Sequence, residues 1–148
     1  MDQVKIFREY TRQLEFQLER INKVDCCCCG ISTTQCFIMV EVGRHPGISI
    51  KELAAILHTD KSTVSRAIED LVRKEYVERK SAENDRRWVT LHLLQKGQAH
   101  FEKIERDMNL KFREILKNIP HEKQKMVLEA LQIYTAACIA TEETEKND

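Results

Sequence analysis

Little in this chain breaks a helix. Two prolines, four glycines and 6% aromatic residues stand beside 32% charged ones, which favours a mostly helical protein. Net charge is absent as well: 24 basic residues match 24 acidic ones, which argues against indiscriminate nucleic-acid binding. No stretch approaches the ~18 consecutive apolar residues of a membrane span. The N-terminus is polar and charged rather than a signal peptide. The expectation is a cytoplasmic protein with no membrane partner, its six cysteines reduced. No glycine-rich loop suits a phosphate, and the serines have no His and Asp partners at a useful spacing, so an enzyme is not expected. There is no internal repeat, and no low-complexity segment apart from one run of cysteines. The 148 residues suffice for a core without metal or disulfides.

What is present centres on the stretch from Ile48 to Leu93. Ser49 with Glu52 three places on forms a capping box, so a helix starts there. Ile50, Leu53, Ala54 and Leu57 give it one apolar face. After a break at His58-Thr59, Asp60 caps a second helix over Lys61 to Val72. Its buried face reads Val64, Ile68, Leu71 and Val72. Lys61, Ser62, Thr63, Ser65 and Arg66 gather near its start. Two short helices joined by a tight turn, the second polar and basic at its start, have the layout of a helix-turn-helix. Hydroxyls and guanidinium suit base edges and phosphates, and a helix N-terminus itself attracts phosphate. Two strands follow, Tyr76 to Lys80 and Trp88 to Leu93, joined by a polar tip from Ser81 to Arg87. A basic hairpin in this place is a wing, whose arginines can enter a narrow minor groove. The stretch Lys61 to Arg87 holds eight basic residues against six acidic, net +2, a modest focus that needs two copies to give useful affinity.

Leu53, Asp60-Lys61-Ser62-Thr63-Val64-Ser65-Arg66, Val77-Glu78-Arg79, Asp85-Arg86-Arg87 and Lys96-Gly97 together resemble the MarR family of winged-helix transcription regulators. The resemblance implies a mainly α fold with a small β wing. Residues 31–93 would form a winged helix-turn-helix domain, and residues 1–30 and 94–148 would supply N- and C-terminal dimerisation helices. It implies double-stranded DNA with a palindromic operator as partner, a homodimer, and contacts from Lys61, Ser62, Thr63, Ser65, Arg66, Asp85, Arg86 and Arg87. Two positions depart from the family pattern. Glu75 stands where glycine is common, at a cost of about 1 kcal/mol if the backbone there is left-handed. Leu94 replaces the usual threonine cap of the next helix.

The outer helices agree with a dimer. Val4, Phe7, Leu14, Leu18 and Ile21 form a stripe along a first helix from Asp2 to Asn22, widened by Tyr10 and Phe16. Ser32 with Gln35 makes a second capping box, with Ile31 placed as a staple. The helix from Thr33 to Arg44 is expected to bury Phe37, Val40 and Cys36, and His45-Pro46-Gly47 ends it. A long helix from Gln95 to Asn118 carries Phe101, Ile104, Met108, Phe112 and Ile115. The last helix runs from His121 to Thr141 with a frayed charged tail, and Cys138 is expected in a core. Trp88 is expected to pack under the wing rather than stack on bases, and His92 and His100 to be packed or solvated rather than to join a metal site.

Four adjacent cysteines, Cys26, Cys27, Cys28 and Cys29, fit neither helical nor strand burial periodicity. Cys36, one turn into the next helix, is expected to fold back toward them. Three readings compete: small residues without chemistry, a redox switch pairing Cys36 with one of the run, or a soft metal or metalloid ion held by thiolates. No cofactor is required. The leading expectation is a homodimeric repressor released by a thiol-reactive signal at this cluster. The alternatives are a regulator of small aromatic ligands with incidental cysteines, or a thiol enzyme or metal-trafficking protein carrying a winged helix.

Overall fold

The computed structural model describes residues 2–26, 30–82 and 84–148, with the side chains of residues 23–26, 82 and 86 left out. Six helices and a two-stranded sheet follow one another: α1 (Gln3–Cys26), α2 (Thr33–Arg44), α3 (Ile50–Ile56), α4 (Lys61–Arg73), β1 (Val77–Ala82), β2 (Asp85–Leu93), α5 (Gln95–Lys117) and α6 (His121–Asn147). Two compact units result, Met1–Ile104 and Glu105–Asp148, the division falling within α5. No helix among the described residues is long and apolar enough to cross a membrane.

Local caps start the central helices. Ser32 and Gln35 form the expected reciprocal pair at α2, and Ser49 and Glu52 do so at α3. The core of the first unit is α2, α3, α4 and the wing's inner face: Ile38, Met39, Val42, Leu53, Val64, Ile68, Leu71, Val77 and Leu91 are fully buried. Ile31 and Cys36 join this core, as a staple before the cap requires. Phe37 does not: it is 53% exposed. The buried face of α2 runs through Gln35, Ile38, Met39 and Val42, which turns Phe37 outward.

The strands are longer than expected. Ser81-Ala82 and Asp85-Arg86-Arg87 belong to β1 and β2, so the strands take in most of the stretch expected as a polar tip. The register pairs Val77 with Leu93 through Ser81 with Val89, then slips at Ala82 opposite Asp85, a bulge that sharpens the bend. Trp88 is 59% exposed, not packed beneath the wing. The segment before α3 ties the wing down: Gly47 N–H donates to Leu91 C=O at 2.9 Å and Leu91 N–H to Ile48 C=O at 2.9 Å.

Glu75 has a φ of 65°, so the chain leaves α4 through a left-handed residue. Tyr76 N–H donates to Leu71 C=O at 2.9 Å and Glu75 N–H to Val72 C=O at 3.0 Å, the paired bonds of a Schellman motif. Gly97 lies against the Tyr76 carbonyl, closer than any Cβ would permit. Leu94 supplies only its carbonyl to α5, accepting from Gln98 N–H at 2.8 Å.

Several helix ends move. Helix α1 continues four residues past Asn22 to Cys26, and α4 ends at Arg73. Helix α6 extends through the charged tail to Asn147; glutamate and lysine are good helix formers, and Lys146 in the last turn complements the helix dipole. Cys138 is exposed, since nothing on α6 is buried. Val4, Phe7, Tyr10 and Phe16 on α1, and Met126, Leu128, Leu131 and Ile133 on α6, are likewise exposed.

Candidate DNA-binding surface

Helix α4 is set by its cap. Asp60, in extended backbone, accepts from the Thr63 hydroxyl at 2.7 Å and from the Thr63 N–H at 2.9 Å. These two bonds, the hydroxyl first, hold the Asp60 carboxyl below the usual carboxylate range. The Thr63 hydroxyl is thereby engaged within the helix start, with Arg66 Nη2 3.5 Å from its oxygen. Lys61, Ser62 and Arg66 are exposed and Ser65 is half-buried. With Ile50 these four line a shallow open depression of about 470 Å³. The buried residues Val64, Ile68 and Leu71 face the core on the opposite side. The arrangement offers two cations, two hydroxyls and free N–H groups at one helix end, a surface suited to phosphate and base-edge acceptors.

On the wing, Asp85 and Arg87 form a bidentate pair. Arg87 Nε donates to Asp85 Oδ1 at 3.1 Å and Nη2 to Oδ2 at 3.0 Å, while the Arg87 N–H donates to Oδ1 at 3.0 Å. The guanidinium, then the backbone N–H, holds the Asp85 carboxyl below its ordinary range. The Arg87 side chain remains 89% exposed. The planar fork is thus presented to solvent with its direction fixed, as a groove-entering arginine needs. The side chain of Arg86 lies outside the described residues.

The expected thiol site is only partly visible. Cys27, Cys28 and Cys29 and the side chain of Cys26 lie outside the described residues. Cys36 is buried on the first turn of α2. Among the described residues no group of three His, Cys, Asp or Glu side chains could hold a metal ion. His92 shares a 3.1 Å contact with the Thr90 hydroxyl. His100 packs edge-on against Tyr76 at 5.8 Å, its Nε2 buried without a hydrogen bond. Burial, and then the nearby Lys103 charge, lower its pKa.

One cluster carries no local sequence signal. Asp70 on α4 accepts from Gln35 Nε2 at 2.7 Å and from Arg73 Nη2 at 2.6 Å, and pairs with Lys74 Nζ at 2.9 Å. Gln35, then Lys74 and Arg73, hold its carboxyl far below the usual range. Lys74 Nζ also donates to Gly30 C=O at 2.8 Å.

Known proteins are similar to this chain in sequence and fold. The family model described as "MarR family" matches residues 30–87. The HTH-type transcriptional regulator BilQ of Clostridium symbiosum is 31% identical over 103 residues, covering 70% of this chain and 72% of BilQ. Streptococcus pneumoniae FabT, solved in complex with DNA, superposes with a TM-score of 0.83 at 22% identity, covering 91% of this chain and 96% of FabT. Staphylococcus aureus MarR, solved with salicylate and kanamycin, gives a TM-score of 0.77 at 14% identity over 93% of each chain.

Proposed function

Because the chain belongs to the MarR family and is a DNA-binding transcriptional regulator, we propose that it acts as a homodimeric repressor on a palindromic operator, with release set by thiol chemistry. The observation that carries the DNA mechanism is the capped start of α4, where Lys61, Ser62, Ser65 and Arg66 share one open face. In this reading α4 enters the major groove, Arg66 and the hydroxyls meet base edges, and Lys61 meets phosphate. Arg87, steered by Asp85, enters the adjacent minor groove, with Arg86 beside it. Exposed apolar side chains on α1 and α6 support the two-fold partner. An exposed apolar surface of that kind is what a second copy covers. Two half-sites then lie about one helical turn apart.

Support for thiol control comes from Cys36 and the sequence before it. Cys36 is buried on the turn of α2 that follows the run Cys26 to Cys29. A soft ion such as arsenite, Zn²⁺ or Cu(I), bound by thiolates of this set, would fix the joint between α1 and α2. An oxidant such as peroxide would do so through a disulfide, accepting two electrons as two thiols lose their protons. Either change couples to the operator only through a difference in affinity between the two arrangements, typically about 1–3 kcal/mol. The test is operator titration of the reduced protein with arsenite, Zn²⁺, Cu(I) and peroxide. Cys36→Ser should bind DNA and lose the response, whereas Cys138→Ser should respond normally. A fully responsive Cys36→Ser protein would refute control through a tie between Cys36 and the cysteine run. A second reading, release by an aromatic acid with incidental cysteines, is favoured by the fold likeness to the salicylate-bound regulator. Salicylate in the same titration separates the two.

A further inference from the structure

Gln35 is the only buried polar residue among the described ones, at 6% exposure. Its side chain does two jobs at once. Oε1 accepts from the Ser32 N–H at 3.0 Å, completing the α2 cap. Nε2 donates to Asp70 Oδ2 at 2.7 Å, reaching across to α4. Glutamate would complete the capping box equally well, yet it has no N–H to give and would set a second carboxylate against Asp70. The cap alone therefore does not account for an amide here. Asp70 in turn holds Arg73 and Lys74, and Lys74 reaches Gly30. The C-terminal half of α4 is thus pinned to the Gly30–Gln35 stretch by polar bonds that touch no residue of the DNA-reading face.

We propose that Gln35 and Asp70 are positioning residues for DNA recognition, their hydrogen bond setting the angle of α4 against α2. Asp70 lies nine residues from Lys61, about 13 Å along the helix, so a tilt of about 10° at Asp70 moves the reading end by about 2 Å. In a two-fold dimer the displacement is applied at both half-sites, against a base-pair rise of about 3.4 Å. This rests on the two-half-site reading above, and it makes half-site spacing the quantity to measure. A residue that only stabilised the fold would weaken all spacings alike.

The experiment begins with a duplex selected from a random-sequence library by the reduced wild-type protein. It is resynthesised with one base pair inserted or removed between the half-sites, and affinities are read by fluorescence anisotropy. Gln35→Glu should change the ratio of affinities between spacings by about tenfold, the scale of one charge-assisted hydrogen bond. Adding Asp70→Asn, which reverses donor and acceptor, should return the ratio to that of the wild type. Should Gln35→Glu alone fail to fold, the double substitution and Gln35→Met carry the test, with a restored and a shifted ratio respectively. An unchanged ratio in Gln35→Glu, or a double variant whose ratio stays shifted, overturns the proposal. A wild type indifferent to spacing removes the two-half-site reading and the proposal with it.

Discussion

Replacing Glu75 with glycine should stabilise the protein. Glu75 occupies the left-handed position of the Schellman motif that ends α4, with a φ of 65°. An L-residue with a Cβ is disfavoured there by about 1–2 kcal/mol. Glycine avoids that strain but loses about 0.5–1 kcal/mol through the larger freedom of its unfolded chain. The difference leaves a net gain of about 0.5–1 kcal/mol. The motif's own bonds survive, because Tyr76 N–H to Leu71 C=O and Glu75 N–H to Val72 C=O are backbone bonds. Leu71 and Tyr76 stay buried on either side. A gain of this size raises Tm by about 1–4 °C in a chain of this length. Urea unfolding at fixed protein concentration, needed because a dimer's stability depends on it, should show a higher midpoint at unchanged slope. Glu75→Ala is the control: it removes the carboxylate, keeps the Cβ, and should show little or no gain. If alanine stabilises as much as glycine, charge rather than backbone strain governs the site. If glycine destabilises, the strain argument is wrong.

Arg66→Ala should weaken operator binding by about 10- to 100-fold, the value of one good base-edge contact, with an unchanged circular dichroism spectrum; wild-type affinity would remove α4 from the major groove. Asp85→Ala should lower operator affinity about threefold or more, although it deletes a negative charge near DNA, because Arg87 loses its bidentate partner; a tighter complex in the same titration would mean that the pair only shields the arginine. The Asp60 cap gives a pH signature. Its folded pKa is depressed, so its contribution is complete above the ordinary carboxyl value of about 4 and is lost as pH falls through the lower folded value. Asp60→Asn, which can still cap, should reduce the acid-limb slope of Tm measured from pH 7 to pH 3, while the difference between the two proteins stays flat from pH 6 to pH 8.

The parts legible beforehand were those written in neighbouring residues. Ser32 with Gln35, Ser49 with Glu52, and Asp60 before Lys61 each state a helix start within four positions, and each cap forms as expected. The left-handed backbone at Glu75 is suggested only by the family resemblance, which has glycine at that place. Helix α2 was harder to orient, because Cys36, Phe37, Ile38, Met39 and Val40 are apolar in succession. With no polar face to exclude, periodicity does not choose between the faces and does not turn Phe37 outward. The ends of the two strands are hard to read because Ser81 and Asp85 have weak strand propensity, yet Ser81 pairs with Val89 and Ala82 with Asp85. Cys138 sits among apolar neighbours on α6, but periodicity reports a face without saying what lies opposite it. The Gln35–Asp70 bond spans 35 positions, and its donor was hidden behind a capping role that was itself correct.

The stitch between Ile48 and Leu91 has a consequence for how such a protein can diversify. Because the segment leading into α3 and the inner strand of the hairpin share backbone hydrogen bonds at 2.9 Å, and Ile48, Val77 and Leu91 are buried in the core, the hairpin's base is held without any residue of the DNA-reading face. Residues at the far end of the hairpin and at the head of α4 can therefore be exchanged without disturbing that anchorage. A lineage built on this frame can rewrite the letters it recognises while the spacing between its two points of reading is inherited intact.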